Sequence, residues 1–324
     1  MEKQLVKQSV RKKLVFKIPL QMSLLLVCVM IAIGIMMSVL LSKQVTNFVE
    51  AEIDLIAQSN ADAVMEYLSA MEVRSQALAE EVSRYGSLDD ATTEQFVINA
   101  VKTTLNDERI FAAFISFEPN SYFENTPNGR SYYVYRDGAE LLLDNHDENY
   151  DDEELYMITK ETLSAHLLEP YEFELSNGSM VWIIPVVVPI FDANNKFIGI
   201  VNCDVQVDTV NNLEYNLGNY ETSFGYILTD TGSYVTNTAD PSLAGSAFAG
   251  EDAVTEKILG AVSAGEEILL NGNNSVHGGN AFIVHKPMKI KGVNEVWSSA
   301  FVVNKSEALK AVSSIIIMIA LLAI

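Results

Sequence analysis

The chain has 324 residues, enough for two modest domains, and a formal net charge of −22. The charge is uneven: the first 17 residues carry six basic residues and one acid, leaving 15 basic and 42 acidic residues for the rest. An acidic body argues against nucleic-acid binding. Cys28 in an apolar run and Cys203 in a predicted strand make neither a disulfide scaffold nor a CxxC metal site.

After the basic head (1–17), Met22 to Leu41 is twenty residues without a charge, the length a spanning helix needs. It is longer than the apolar core of a cleaved signal peptide, so a membrane helix over 18–42 is expected, with the head cytoplasmic and the body outside. Lys43 to Arg84 reads as one long helix, roughly 60 Å from end to end. Its apolar stripe (Val45, Val49, Ile53, Ile56, Val64, Leu68, Met71, Leu78, Val82) fits core packing or a homodimer seam; a homodimer held by this helix is expected, and Gly86 is a natural stop.

Thr92 to Asn106 reads as a second helix, Ile110 to Phe117 and Ser131 to Arg136 as strands, and Asp144 to Glu154 as a solvated acidic loop lacking the glycine of an EF-hand. A short helix over Glu154 to Leu163 leads to a three-stranded meander, Glu172–Leu175, Met180–Ile190 and Lys196–Val207. Its turns are Ser176-Asn177-Gly178, read as having both central residues at positive φ, and Asp192 to Asn195. The middle strand is apolar throughout, so both its faces should be covered, while Asp204 puts a carboxylate near the end of an apolar strand.

A short helix to about Leu217 precedes a second α+β unit. Its strands are Phe224–Thr229, Tyr234–Asn237, Glu267–Leu270, Ala281–Pro287 and Val296–Val303, with a helix over Ala253–Ser263 and turns at Asp230-Thr231-Gly232, Asn271 to Asn274 and Lys291-Gly292. The last thirteen residues are uncharged and read as the start of a second spanning helix over 311–324; a buried C-terminal helix is the alternative.

Several segments together resemble the double Cache family, most familiar as the sensor of methyl-accepting chemotaxis proteins. They are Leu168-Glu169-Pro170-Tyr171, Val187-Val188-Pro189-Ile190, Lys196 to Val201 and Asp204-Val205, with Leu228 to Gly232 and Asp240 to Gly245 in support. The resemblance implies an α+β fold: a long N-terminal helix and two PAS-like units with antiparallel sheets, between transmembrane helices. The extracytoplasmic domain would span 43–310, with helix 43–84, a membrane-distal unit at 88–215 and a membrane-proximal one at 218–304.

It implies a plasma-membrane chemoreceptor sensing an extracellular small molecule, with the sensor region of a histidine kinase or cyclic-dinucleotide enzyme as the alternative. In the amino-acid-sensing members' pattern, Tyr156, Tyr171 and Asp204 fall on matching positions, but Glu153 stands at the Arg position, Leu155 at the Trp position and Phe173 at the middle Asp. Asp204 among aromatic residues therefore suggests a cationic amine or amino-acid-like ligand. Tyr133, Phe173 and Trp182 are further candidates, core packing being the alternative for the last two and a satisfied wall hydroxyl for the tyrosines. The four histidines lack metal-ligand spacing, and neither a catalytic constellation nor a cofactor motif stands out, so catalysis is not expected. Cytoplasmic signalling partners would act through a region outside this chain.

Overall fold

The computed structural model describes residues 2–84, 90–213, 215–250, 252–310 and 314. The expected second span lies outside the described residues except for Ser314, and so does Gly86. The chain divides into two units, residues 1–53 with 305–324, and residues 54–304.

One helix, α1 (Glu2–Ser83), runs through the predicted head, span and rod without a break, Pro19 included. Its large apolar side chains from Leu20 to Leu40 are exposed, and this stretch is long and apolar enough to cross a membrane. In residues 54–304 the stripe is occupied by the unit's own core: Val64, Leu68, Met71, Leu78 and Val82 are buried in the main apolar cluster. The face expected to make a dimer seam is thus used within the chain. Leu55 and Val73 are the large apolar residues this part of α1 leaves exposed.

Two antiparallel modules follow. The first holds α2 (Asp90–Thr104), β1 (Ala112–Phe117), β2 (Arg130–Asp137), β3 (Glu140–His146), α3 (Glu154–Thr162), β4 (His166–Leu167), β5 (Tyr171–Glu174), β6 (Met180–Phe191), β7 (Phe197–Gln206) and α4 (Val207–Asn211). Its sheet runs β3-β2-β1-β7-β6-β4, with β5 also on β6. The second holds β8 (Phe224–Leu228), β9 (Tyr234–Asn237), α5 (Ala253–Ala264), β10 (Ile268–Asn273), β11 (Asn280–Lys289) and β12 (Val296–Asn304), ordered β10-β11-β12-β8-β9. A four-residue helix, α6 (Lys305–Ala308), belongs to the other unit.

Alternation along β7 sorts its side chains. Val201, Cys203 and Val205 join the main core, whereas Ile200, Asn202 and Asp204 face the other way. The apolar reading of β6 holds, since Ile183 to Ile190 are all buried. The acidic stretch is not loop throughout. Its first residues form the end of β3, an edge strand that leaves Asp144 and Asn145 exposed, and the loop begins after His146. Similarly β10 runs on through Asn271-Gly272-Asn273, paired with Asn280 to Phe282, and the turn comes after it.

The Asn177-Gly178 turn also differs: only Gly178 has positive φ, 82°. The Gly178 amide donates to the Leu175 carbonyl at 2.8 Å, giving a three-residue loop closed by a left-handed residue. Asn195, at φ 64°, closes the β6–β7 turn in the same way, with the Asp192 carboxylate accepting from the Asn194 and Lys196 amides at 2.8 and 2.9 Å.

Gly199 permits the closest approach in the first sheet: a Cβ there would lie 2.1 Å from the Ser116 carbonyl oxygen. Backbone cannot yield as a side-chain tip can, so Gly199→Ala should destabilise the protein by about 2–4 kcal/mol. Urea unfolding monitored by circular dichroism would measure this; an unchanged midpoint would refute the packing argument.

Candidate ligand-binding site

The sheet register assembles the site. Tyr133 on β2 stands opposite Phe114 on β1, which stands opposite Asn202 on β7; in the next row Ala112 faces Asp204, and Asp204 faces Pro185 on β6. These residues share the face turned away from the main core. A cavity of about 640 Å³ opens over them, closed on other sides by residues of β3, the β3–α3 loop, the start of α3, and the stretch from Leu168 to Phe173.

Asp204 is fully buried at the cavity floor. One carboxylate oxygen accepts from the Asn202 side-chain amide at 2.8 Å and the other from the Tyr133 hydroxyl at 3.2 Å. Burial pushes its pKa up to about 7, because the two hydrogen bonds only partly offset the loss of water around the charge. Asn202 is itself buried, and its own Oδ1 has no hydrogen-bond partner. The floor therefore presents a carboxylate and an unpaired amide oxygen, two acceptors awaiting a donor.

The walls are aromatic. Phe173 packs edge-on to Tyr133 and Tyr135, and Phe114 edge-on to Tyr133 and Tyr150. Tyr171 is partly exposed, and its hydroxyl is pushed up by burial, then by the charges of Asp204 and Glu153. Asp144, Glu153, Glu154 and Glu169 complete an acidic lining that contains no lysine or arginine. His146, the one basic group there, lies 3.2 Å from Asp144.

Of the six candidates, Asp204, Tyr133, Tyr171 and Phe173 meet at this cavity, and Tyr156 and Trp182 do not. The Tyr156 side chain is buried between Val187 and Ile200, its hydroxyl donating to Glu118 at 2.6 Å and accepting from Asn149 at 3.2 Å. It is a core residue whose polar end is satisfied. The Trp182 ring sits against Gly245 of the second module, where a Cβ would come within 2.1 Å of it. Both corrections follow from direction: neighbouring residues on a helix or strand point to different faces.

Glu153, Leu155 and Phe173, where the amino-acid sensors' pattern is broken, do line the cavity. Asn202, not among the six candidates, is legible in the sequence, since it lies two positions before Asp204 and must share its face. Tyr150, at φ 52° in an irregular loop, carries no comparable signal.

A long helix followed by two antiparallel modules, the first with a cavity over its sheet, is the architecture of double Cache sensor domains. Residues 97–212 match the family model described as methyl-accepting chemotaxis protein-like, first PDC sensor domain. No curated protein matches the chain. Among solved structures, the extracellular domain of mmHK1S-Z2, a protein assigned as a histidine kinase, is 18% identical, with 80% of this chain and 98% of that one covered and a TM-score of 0.65. The periplasmic sensory domain of the Campylobacter jejuni chemoreceptor Tlp1 is 13% identical, with 82% and 98% covered and a TM-score of 0.65. The ligand-binding domain of the Pseudomonas aeruginosa PAO1 amino acid chemoreceptor PctC, in complex with GABA, is 12% identical, with 79% and 99% covered and a TM-score of 0.56. At these identities the likeness is one of fold.

Proposed function

We propose that this chain is the sensor region of a membrane-anchored receptor whose first module binds a small cationic amine. The observation that carries the ligand class is the pair of acceptors at the cavity floor, Asp204 with the unpartnered Asn202 Oδ1. An ammonium group supplies both the charge and the donors this pair lacks. A carboxylate ligand would meet acids and no arginine or lysine. The six basic residues before the apolar stretch support a cytoplasmic head and an outward-facing body.

A route out of the site is built into one segment. Leu168 to Tyr171 line the cavity, and the residues just before them join the second module. Ala165 bridges to Val293, Asn294 donates to Ser164 at 2.9 Å, and Glu295 accepts from His166 and from the Leu167 amide at 2.7 and 2.9 Å. Glu169 itself, a cavity residue, accepts from Thr231 at 2.6 Å. Ligand that shifts this segment would shift the second module with it. The match of residues 97–212 favours chemotactic output, and the fold shared with mmHK1S-Z2 supports a kinase as second reading; any coding sequence continuing past Ile324 separates the two.

A thermal-shift screen of the full chain in detergent, against primary amines, amino acids and dicarboxylates, tests the ligand class. Stabilisation by amines is expected, and stabilisation by dicarboxylates alone would overturn it.

A further inference from the structure

We infer that the ligand carries a second positive charge: the site takes a diamine rather than a monoamine or an amino acid. This rests on the amine reading above and adds the acidic rim to it. The two acceptors at the floor, Asp204 and Asn202, can hold one ammonium, and Asn202 is buried with its oxygen unpaired. That leaves the carboxylates higher in the same lining. Asp144 has His146 beside it and Glu169 has the Thr231 hydroxyl, whereas Glu153 and Glu154 have no ion-pair partner among the described residues. Both are exposed at the start of α3 and line the cavity that Asp204 closes below.

Between floor and rim the walls are the aromatic residues Tyr133, Phe173 and Tyr171, which suit a short methylene chain beside a cation. A ligand with one ammonium leaves the rim charges uncompensated. One with a carboxylate at its far end sets a negative charge against them. A second ammonium is the only one of the three ends that the rim attracts.

Three probes share a four-carbon backbone and differ only at the far end: 1,4-diaminobutane, n-butylamine and 4-aminobutanoate. Isothermal titration of the full chain in detergent at pH 8 should rank them in that order. The diamine should bind about fivefold to tenfold more tightly than the monoamine, an advantage that shrinks with added salt because the rim is exposed. Glu153→Gln should remove much of that advantage by weakening the diamine more than n-butylamine, and Glu154→Gln gives an independent second variant on the same exposed turn.

Equal affinities for diamine and monoamine, with both lost in Asp204→Asn, would overturn the second charge and leave the amine reading standing. Tightest binding of 4-aminobutanoate would also overturn it. Diamine binding untouched by Asp204→Asn, or no binding of any probe, would remove the amine reading along with it.

Discussion

Asp204→Asn should cost the site roughly tenfold to a hundredfold in affinity for an amine and, at pH 8, should make the unliganded protein more stable. The two effects have one cause. A hydrogen bond to a charged group contributes about 1.5–3 kcal/mol, and an amide in place of the carboxylate loses the charge that makes it strong. The same charge is a burden to the empty protein. Its pKa lies near 7 in the fold against an ordinary value of 3.8, because burial disfavours the ionised form.

Below pH 3.8 the folded and unfolded states both keep the proton. Between 3.8 and about 7 the unfolded chain ionises and the folded one does not, so stability falls as pH rises, and above about 7 the loss is complete. The shift corresponds to at most about 4 kcal/mol. The variant should lack this pH dependence and melt higher than the wild type above pH 7.

Binding has the opposite slope. An ammonium needs the ionised carboxylate, so affinity should rise with pH up to about 7 and then level off, with a proton released on binding below that point. Titration calorimetry in two buffers of different ionisation enthalpy reads the released proton. Affinity independent of pH between 5 and 8 would exclude Asp204 as the ligand's counter-charge.

Glu295→Ala should destabilise the protein by about 2–4 kcal/mol and weaken the link between the modules. Glu295 holds two partners of the segment beside the cavity, the His166 ring and the Leu167 amide, and His166 is buried. Burial raises the Glu295 carboxyl, but the hydrogen bonds from His166, the Leu167 amide and its own backbone amide, with the attraction of His166, together outweigh it and leave the pKa below the ordinary value, so the group is a carboxylate at neutral pH. Removing it strands the buried His166 Nδ1, whose Nε2 keeps the Thr162 hydroxyl, and a buried amide.

Hydrogen exchange of the full chain should then show faster exchange at Ala165 to Leu167 and around Val293, beyond what the fall in global stability accounts for. Amine affinity should change far less than in Asp204→Asn, since Glu295 does not line the cavity. A variant as stable as wild type, with unchanged exchange at those amides, would show that the contact transmits nothing.

Much of the fold was legible because it depends on short-range rules. The apolar run of β6 requires cover on both faces wherever it lies, and Asn195 and Gly178 mark turns whatever the strands pair with. The errors fall where tertiary partners decide. Asp144 to His146 reads as loop by composition, yet β2 offers it an edge to pair with and lets its side chains stay in water. Tyr156 and Tyr171 look equivalent in sequence, but one is turned into the core by α3 and the other lies on β5 beside the cavity.

A basic head and an apolar helix ahead of an acidic, two-part α+β body are legible in the residue order, because charge and hydropathy need no partner to be read. That Asp204 and Asn202 share a face is legible too, because the strand repeat is local. What that face meets depends on long-range packing. Register across β2, β1, β7 and β6 places Tyr133, Phe114 and Pro185 around the carboxylate, and α3 with its preceding loop brings Glu153 over it from fifty residues away in the chain. Burial of Asp204, and hence its raised pKa and its demand for a cationic partner, exists only once those distant segments exclude water from it.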